Sequence, residues 1–275
     1  MTRPVIGVLH PGGLGAAVGA ALRTAGHEVL WCPEGRSEVT ARRADAAGLT
    51  PVDSLGELTR RCQVILSVCP PHAAAEVGAA LDGFTGVYVE ANAVAPHTVQ
   101  DIARVRQADG ATVVDGAVLG PPPGAPDELR RYRVLLSGEA AEEVAVLFRA
   151  AGFGTVVLPG PVGAASALKM AWASWLKGSA ALLLSARALA RAHGVEGALL
   201  EAWERDMPEL AARGAEVDHL VKTKGWRWPG EMEELADAAD AADLPGEPVY
   251  RGAAAVFRDA LDNGAGPGPG SRTGP

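Results

Sequence analysis

The order of apolar segments along the chain is the feature that most constrains its fold. From Val5 to about Leu158, short apolar runs alternate with helical patterns, and helices end at glycines such as Gly26 and Gly48. After Pro159 the pattern is helical throughout and predicts no strand. Strands that alternate with helices form βαβ units around a parallel sheet. The sequence therefore predicts an α/β domain followed by an all-α domain.

The predicted strands and helices set the domain boundaries. Strands are predicted at Val5–Leu9, Glu28–Trp31, Val64–Val68, Gly86–Glu90, Ala111–Val114, Arg133–Ser137 and Thr155–Leu158. Residues 1–159 are therefore predicted to form one domain. Residues 160–262 are predicted to form a helical domain that begins with one long helix, or two in line, over Pro161–His193. Residues 263–275 are rich in glycine and proline and predict a disordered tail.

Charge and hydropathy exclude several classes of function. The 275 residues include 25 Lys and Arg against 33 Asp and Glu, which gives a net charge of −8 and a pI near 5.3. This acidic balance argues against binding to nucleic acid and against a basic membrane-binding surface. The N-terminal residues lack a charged segment followed by a long apolar run, so no signal peptide is expected. The most apolar stretch, Ala164–Leu184, contains Lys169 and Lys177 and predicts a buried helix rather than a membrane span.

The cysteines bear on the cellular compartment. Cys32, Cys62 and Cys69 form no Cys-x-x-Cys pair. An odd and sparse set of this kind fits reduced thiols better than a framework of disulfides. We therefore expect a cytoplasmic protein, and we predict no metal site.

A glycine-rich segment follows the first predicted strand and precedes the first helix. Dinucleotide sites of the Rossmann type need glycines where the backbone turns and where it approaches a pyrophosphate, which lies at the helix N-terminus. Gly12 and Gly15 fit the second and third positions of that motif, with Gly13 and Leu14 between them. His10 stands where the first glycine usually lies, and we expect it to be a loop residue. The segment predicts a Rossmann-type cofactor site; the alternative is a glycine-rich turn without a ligand.

The end of the second predicted strand bears on the choice of cofactor. An NAD site usually has Asp or Glu near this point, where the carboxylate binds the ribose 2′-hydroxyl. Here the strand ends at Cys32 and is followed by Glu34, Arg36 and Ser37. The guanidinium of Arg36 and the hydroxyl of Ser37 suit a 2′-phosphate, so NADP is favoured over NAD. Glu34 opposes this, since it could bind a ribose. The alternative is that Arg36 is a solvated surface charge and Ser37 only a helix N-cap.

Further motifs follow the glycine loop in a recognisable order. They are Val64–Pro71 (VILSVCPP), Tyr88–Pro96 (YVEANAVAP), Val113–Pro123 (VVDGAVLGPPP) and Gly160–Gly178 (GPVGAASALKMAWASWLKG). Together with the loop they resemble the β-hydroxyacid dehydrogenase superfamily, which contains phosphogluconate and hydroxyisobutyrate dehydrogenases. The resemblance extends from Val5 to about Gly194 and is greatest to a poorly characterised branch with its own helical C-terminal domain. It implies a Rossmann-type domain, a long interdomain helix and a helical domain that mediates dimerisation.

The resemblance also implies roles for individual residues. Those implied to contact the cofactor are Val68, Cys69, Pro70 and Asn92. Asn92 is implied to lie near the nicotinamide ribose and the substrate, and Gly120 and Pro121 to frame the substrate pocket. Lys169 matches the lysine that serves as general acid/base in these dehydrogenases. A lysine in an apolar helix can instead snorkel to solvent or pair with an acid, without any role in catalysis.

The chain departs from the better-known members at two points. They carry Ser-Gly-Gly where this chain has Leu119–Gly120–Pro121, and Asn three or four residues beyond the lysine, where this chain has Trp172 and Ala173. The carboxylate-binding half of the site is therefore missing, which implies a bulkier or less polar substrate.

Trp172 is a candidate pocket residue, although aromatics at such spacing more often belong to a core or an interface. Lys177, about two helical turns after Lys169, is a second candidate or a structural partner.

These observations together predict an NADP-dependent oxidoreductase. It would transfer a hydride between NADP(H) and a small hydroxy or keto substrate, with Lys169 as general acid/base. An imine reductase of the same architecture is one alternative, because loss of the Ser and the Asn suits a C=N substrate. A non-catalytic NADP-binding sensor is another, because the first glycine is replaced and the substrate loop is altered. A long apolar helix in a domain of about 100 residues also predicts a homodimer.

Overall fold

The structure is a computed structural model that describes residues 3–120 and 132–264. The chain forms two compact units, Met1–Lys169 and Met170–Pro275. The first is α/β and the second is helical, as predicted. Helix α7, Ala164–Ala192, is a single helix over the region for which one helix or two were predicted, and the boundary between the units falls within it.

The described part of the first unit contains an eight-stranded sheet. Its strands are β1 Ile6–Val8, β2 Val29–Trp31, β3 Thr50–Pro51, β4 Val64–Ser67, β5 Val87–Glu90, β6 Thr112–Leu119, β7 Arg133–Ser137 and β8 Gly154–Val157. Their order across the sheet is β3-β2-β1-β4-β5-β6-β7-β8. Neighbouring strands are parallel except β6 and β7, which are antiparallel. The sheet is therefore mixed, and the prediction of a parallel sheet holds for its first six strands.

Helices cover both faces of this sheet. They are α1 Gly13–Thr24, α2 Glu38–Ala46, α3 Leu55–Arg61, α4 Ala74–Ala79, α5 Pro96–Ala108 and α6 Ala141–Ala150, and a 3₁₀ turn at Pro71–Ala73 precedes α4. Side chains of a strand point alternately to the two faces. In β4, Val64 and Leu66 join a core with α1 and α6, whereas Ile65 joins a second core with α3, α4 and α5. These two cores give the doubly wound arrangement of a Rossmann-type unit.

The strand order defines an edge where a ligand can bind. Strand β1 lies between β2 and β4, so the connections that leave β1 and enter β4 run in opposite directions across the sheet. In open α/β sheets, ligands bind beyond the carboxyl ends of the strands at such a reversal. The segments that follow β1, β2, β4, β5 and β6 all lie at this edge, because these strands are parallel. They contain the predicted cofactor residues.

The described part of the second unit consists of the remainder of α7 and four further helices. These are α8 Glu196–Asp206, α9 Pro208–Lys224, α10 Trp228–Ala241 and α11 Glu247–Gly264, with a 3₁₀ turn at Gly225–Arg227. Val217, Met232 and Phe257 are fully buried in its core, where the rings of Trp228 and Phe257 pack edge to face at 4.9 Å. Helix α11 extends two residues past the boundary predicted at 262, and residues 265–275 of the predicted tail lie outside the described residues.

The described residues contain neither a membrane-spanning helix nor a cluster of metal-binding side chains. No helix in residues 3–120 or 132–264 is long and apolar enough to cross a membrane. Within the same residues, no group of three or more His, Cys, Asp or Glu side chains is placed to hold a metal ion. Cys32 and Cys62 are buried, Cys69 is half-buried, and all three thiols are free.

Candidate functional site

The glycine loop joins β1 to α1, and its three glycines have different reasons to be glycine. A Cβ on Gly15 would lie 2.2 Å from the carbonyl oxygen of His10, so no other residue fits there without moving the backbone. A Cβ on Gly12 or Gly13 would meet no protein atom within 4 Å. Packing within the chain therefore explains Gly15, but it does not explain Gly12 and Gly13. A ligand that approaches the backbone closely would explain both.

The start of α1 is suited to an anion. Gly12 is the N-cap residue and provides no side-chain cap, and the first turn contains no acidic residue. The first N–H groups of a helix lack partners within the helix, and the helix dipole adds a partial positive charge there. Gly13, Leu14 and Gly15 form this first turn. The predicted residues of the loop thus come together as a site that fits a pyrophosphate.

The segment after β2 brings Arg36 next to His10. Arg36 is exposed, and its guanidinium donates a hydrogen bond to Nε2 of His10. Burial, together with the charge of Arg36, lowers the pKa of His10 to about 4. Ser37 is the N-cap of α2, where its Oγ accepts from the N–H of Thr40 at 3.3 Å. Sequence reasoning treated His10 only as a loop residue; its place after β1, beside β2, was the available signal for this contact.

A buried polar cluster lies at the carboxyl ends of β4 and β5. The Nδ2 group of Asn92 donates to Oγ of Ser67 at 3.0 Å and to Oε1 of Glu90. Its Oδ1 accepts from the N–H of Cys69 at 2.5 Å. Val68 and Cys69 are half-buried and Pro70 is exposed. Asn92 therefore fixes the backbone of the segment that the sequence assigned to the cofactor.

Glu90 is the member of this cluster that sequence reasoning missed. It is fully buried, it accepts from the hydroxyl of Tyr88 at 2.7 Å, and its Oε1 accepts from the N–H of Asn92 at 3.2 Å. Burial raises the pKa of Glu90 to about 7, although these hydrogen bonds favour its charged form. A carboxyl with a pKa near neutrality beside the expected cofactor segment is chemically distinct from an ordinary surface glutamate.

The raised pKa predicts a pH dependence of stability. The pKa of Glu90 is about 7 in the folded protein, against 4.5 ordinarily, so its contribution to stability is present below pH 4.5 and is lost as the pH rises to about 7. Glu90→Gln replaces the ionisable carboxyl group with an amide that does not titrate. Between about pH 5 and pH 8, the wild type should lose about 2–4 kcal/mol of unfolding free energy relative to this variant. Urea unfolding at both pH values measures the difference, and parallel changes in the two proteins would contradict it.

The start of α7 is held by a side chain from the sheet. Asp115 on β6 is fully buried. Its Oδ2 accepts from the N–H groups of Gly163 and Ser166, both at 2.9 Å, and its Oδ1 accepts from Oγ of Ser166 at 2.7 Å. Ser137 on β7 donates to Asp115 at 3.2 Å and accepts from the N–H of Ala165 at 3.1 Å. Asp115 thus caps the N-terminus of α7, as an N-cap side chain would, although it lies on a distant part of the chain.

Lys169 lies one turn after this anchored start. It is half-buried, and its Nζ donates to the carbonyl oxygen of Val118 on β6 at 2.6 Å. Gly120, two residues beyond Val118, is exposed and has φ of +122°, a conformation that favours glycine. The structure thus brings Lys169 to the end of β6, beside the segment that leads to Gly120. Pro121, the other residue predicted to frame the pocket, lies outside the described residues.

Comparisons with known proteins give the relationships of the chain. Residues 190–260 match a family model described as a domain of unknown function, DUF1932. An uncharacterized 28.5 kDa protein from Methanothermus fervidus, encoded in the 5′ region of 7S RNA, is 30% identical over 178 residues, which cover 64% of this chain and 67% of the relative.

Solved structures extend the likeness to nearly the whole chain. A conserved protein of unknown function, described as structurally similar to 3-hydroxyacid dehydrogenases, is 27% identical, with a TM-score of 0.76 over 94% of this chain and 96% of that one. The chain belongs to the β-hydroxyacid dehydrogenase superfamily. Within it, 3-hydroxyisobutyrate dehydrogenase from Mycobacterium tuberculosis has the same fold, with 16% identity and a TM-score of 0.75 over 95% of each chain. The DUF1932 match falls on the helical second part of this superfamily member.

Two candidate residues of this β-hydroxyacid dehydrogenase homologue lie in its second unit. Trp172 has 44% of its surface exposed. The Nζ of Lys177 forms an ion pair with Glu231 on α10, and only 14% of the lysine side chain is exposed. Lys177 therefore has a structural partner within the helical unit, which is one of the two roles considered for it. Lys169 differs in that its Nζ donates to a backbone carbonyl oxygen, that of Val118.

Proposed function

We propose that this protein transfers a hydride between NADP(H) and a small hydroxy or keto substrate, with Lys169 as general acid/base. The superfamily to which the chain belongs consists of NAD(P)-dependent oxidoreductases. The position of Lys169 is the observation that supports this role. Its Nζ lies 2.6 Å from the carbonyl oxygen of Val118, at the edge of the sheet where the cofactor loops also end.

Residues of the first unit fit the parts of NADP. The N-terminus of α1, with Gly12 and Gly13, suits the pyrophosphate. Arg36 suits the 2′-phosphate, because a guanidinium binds phosphate oxygens through paired donors. The backbone of Cys69, fixed by Asn92, suits the segment over the adenosine and ribose. When bound, the nicotinamide supplies or takes up the hydride, and the protein provides orientation and the proton.

Lys169 would move the proton that the reaction requires. As the substrate carbonyl is reduced at carbon, an N–H bond of the Lys169 ammonium breaks and an O–H bond forms on the substrate oxygen. In the oxidative direction, the neutral amine takes the proton back. The Val118 carbonyl holds the amine at the end of β6, and the Asp115 hydrogen bonds hold the helix that bears it. The chain's own residues thereby position the proton donor before substrate binds.

The proposed substrate class follows from residue types that this chain lacks. Leu119 and Gly120 stand where better-known members have Ser and Gly, and Trp172 stands near the position of their Asn. Leu and Trp do not bind a carboxylate well, so we infer a bulkier or less polar substrate than a simple 3-hydroxy acid. The same absence favours a cyclic imine as the alternative substrate. An NADP-binding sensor without activity remains the third reading of the altered loop.

The choice of cofactor has a direct test. Arg36→Ala should weaken NADPH binding by about 1.5–3 kcal/mol, roughly 10- to 150-fold, because it removes a charge-assisted hydrogen bond to the 2′-phosphate. Binding of NADH should change little. Calorimetric titration of both cofactors measures this, with Arg42→Ala as the control, since Arg42 is an exposed arginine on the neighbouring helix α2. Equal losses for NADPH and NADH would contradict a role at the 2′-phosphate.

The second unit supports the proposal of a homodimer. Trp175, Leu182 and Leu189 are 78%, 72% and 64% exposed and lie seven residues apart on α7. Apolar residues at this spacing form one stripe along a helix, which a second copy of the chain would cover. Leu182→Glu should shift the protein from dimer to monomer in light scattering. Leu200→Glu, on α8, is the matched control. A wild-type mass near 28.2 kDa at micromolar concentration would contradict the dimer.

The remaining expectations concern location and partners. Three free thiols fit a reducing compartment, so we propose a cytoplasmic protein. We propose small molecules as its substrates, and neither nucleic acid nor membrane as a partner, on the basis of the net charge of −8.

A further inference from the structure

We propose that His10 is a positioning residue for cofactor specificity: its imidazole holds the Arg36 guanidinium in place to receive a phosphate monoester, the 2′-phosphate of NADP. This inference rests on the proposed NADP function and adds a residue to it. The sequence motif has glycine at this position, so His10 is a side chain where a dinucleotide site ordinarily has none.

The fold brings the two side chains together. His10 follows β1 and Arg36 follows β2, and these strands are parallel neighbours with Ile6 opposite Val29. The loops at their carboxyl ends therefore meet at one edge of the sheet. There the guanidinium of Arg36 donates to Nε2 of His10. The contact joins the glycine loop, proposed for the pyrophosphate, to the residue proposed for the 2′-phosphate.

The chemistry of the contact fixes the state of His10. A guanidinium has only donors, so Nε2 must accept, and the ring is neutral with its proton on Nδ1. The lowered pKa of His10, about 4, agrees with a neutral ring at physiological pH. Within the described residues, Nδ1 is buried and has no hydrogen-bond partner. A buried donor without a partner is costly and rare, so packing alone does not account for this histidine.

The loop beneath His10 is rigid. The carbonyl oxygen of His10 accepts from the N–H of Gly12 at 2.8 Å. The same oxygen would lie 2.2 Å from a Cβ on Gly15, so helix α1 packs directly against it. The imidazole is therefore carried by a backbone that the strand and the helix both fix. A flexible arginine gains a defined position from such a neighbour.

Arg36 keeps its charge and most of its donors for a ligand. Across residues 3–120 and 132–264, its guanidinium forms no ion pair with Asp or Glu, and its one side-chain hydrogen bond is to a neutral ring. A carboxylate partner would neutralise the guanidinium and compete with a phosphate. A neutral imidazole orients the guanidinium without either effect. His10 thus reduces the ordering that Arg36 must undergo on binding while leaving its charge available.

The test is calorimetric titration of the full chain with NADPH, NADH, 2′,5′-ADP and 5′-AMP. His10→Ala should weaken binding of NADPH and 2′,5′-ADP about three- to tenfold, the effect of immobilising one long side chain. NADH and 5′-AMP should change less than twofold. His10→Gln, whose amide oxygen can accept from Arg36, should restore most of the loss. In an Arg36→Ala background, His10→Ala should have no further effect.

Several outcomes would overturn the inference. One is equal weakening of all four ligands by His10→Ala, which would show a structural role in the loop. Unchanged binding of 2′,5′-ADP, or additive losses with Arg36→Ala, would also overturn it. A wild type that binds NADPH no better than NADH would instead refute the proposed NADP preference itself. The two failures are therefore distinguishable, and melting temperatures of the variants establish that each is folded.

Discussion

Replacing Lys169 with methionine should lower turnover about 10²- to 10⁴-fold while NADPH affinity stays within a few-fold. Methionine keeps the length and the apolar packing of the side chain but removes its proton and its charge. Proton transfer by a positioned side chain contributes about this factor to catalysis. Steady-state kinetics with a substrate of the enzyme, together with NADPH titration, measure the two quantities separately.

The control for this variant is another lysine changed in the same way. Lys222→Met, on the exposed surface of α9, should leave turnover unchanged. Lys177→Met tests the alternative that Lys177, which forms an ion pair with Glu231, is the proton donor. Near-normal turnover in Lys169→Met, with a large loss in Lys177→Met, would transfer the proton role to Lys177. Near-normal turnover in both variants would require a donor from elsewhere.

Asp115→Ala should lower the free energy of unfolding by about 3–5 kcal/mol. The substitution leaves the N–H groups of Gly163 and Ser166 and the hydroxyls of Ser166 and Ser137 without their buried acceptor. Each buried donor without a partner costs about 1–3 kcal/mol, and the costs are not fully additive. Urea denaturation compares the variant with the wild type.

Two further variants provide comparisons for the loss of unfolding free energy expected in Asp115→Ala. Ser166→Ala removes only the bond from its hydroxyl to Oδ1 of Asp115, and it should cost about 1 kcal/mol. Asp101→Ala removes an exposed aspartate of α5 that pairs with Arg104, and it should cost less than about 0.5 kcal/mol. If Asp115→Ala destabilised the protein no more than Asp101→Ala, the account of how α7 is anchored would be wrong.

Much of the fold was predictable because its signals are local. The glycine loop between an apolar strand and a helix, and the change to helical periodicity after Pro159, are both readable from neighbouring residues. Strand β3, Thr50–Pro51, and helix α3, Leu55–Arg61, were missed because they are too short for periodicity to show. The antiparallel direction of β7 was missed because an apolar run does not encode the direction of a strand.

The site was predictable only in part, because several of its contacts join residues that are far apart in the sequence. The residues of the glycine loop follow a known spacing, and Lys169 came from a family resemblance rather than from its own surroundings. The contact of Arg36 with His10 spans 26 residues, and that of Ser166 with Asp115 spans 51. No periodicity links such positions. The raised pKa of Glu90 depends on burial between neighbouring strands, which appears only once the sheet is assembled.

Oxidation of NADPH against a panel of keto acids, ketones and cyclic imines is the measurement that tests the central proposal most directly. The account predicts that NADPH is consumed in a one-to-one ratio with reduced product, that a keto compound is the best substrate, and that Lys169→Met abolishes most of the rate. Faster reduction of cyclic imines would establish the alternative substrate class. Tight binding of NADPH without oxidation by any member of the panel would contradict the proposed enzyme and indicate a sensor.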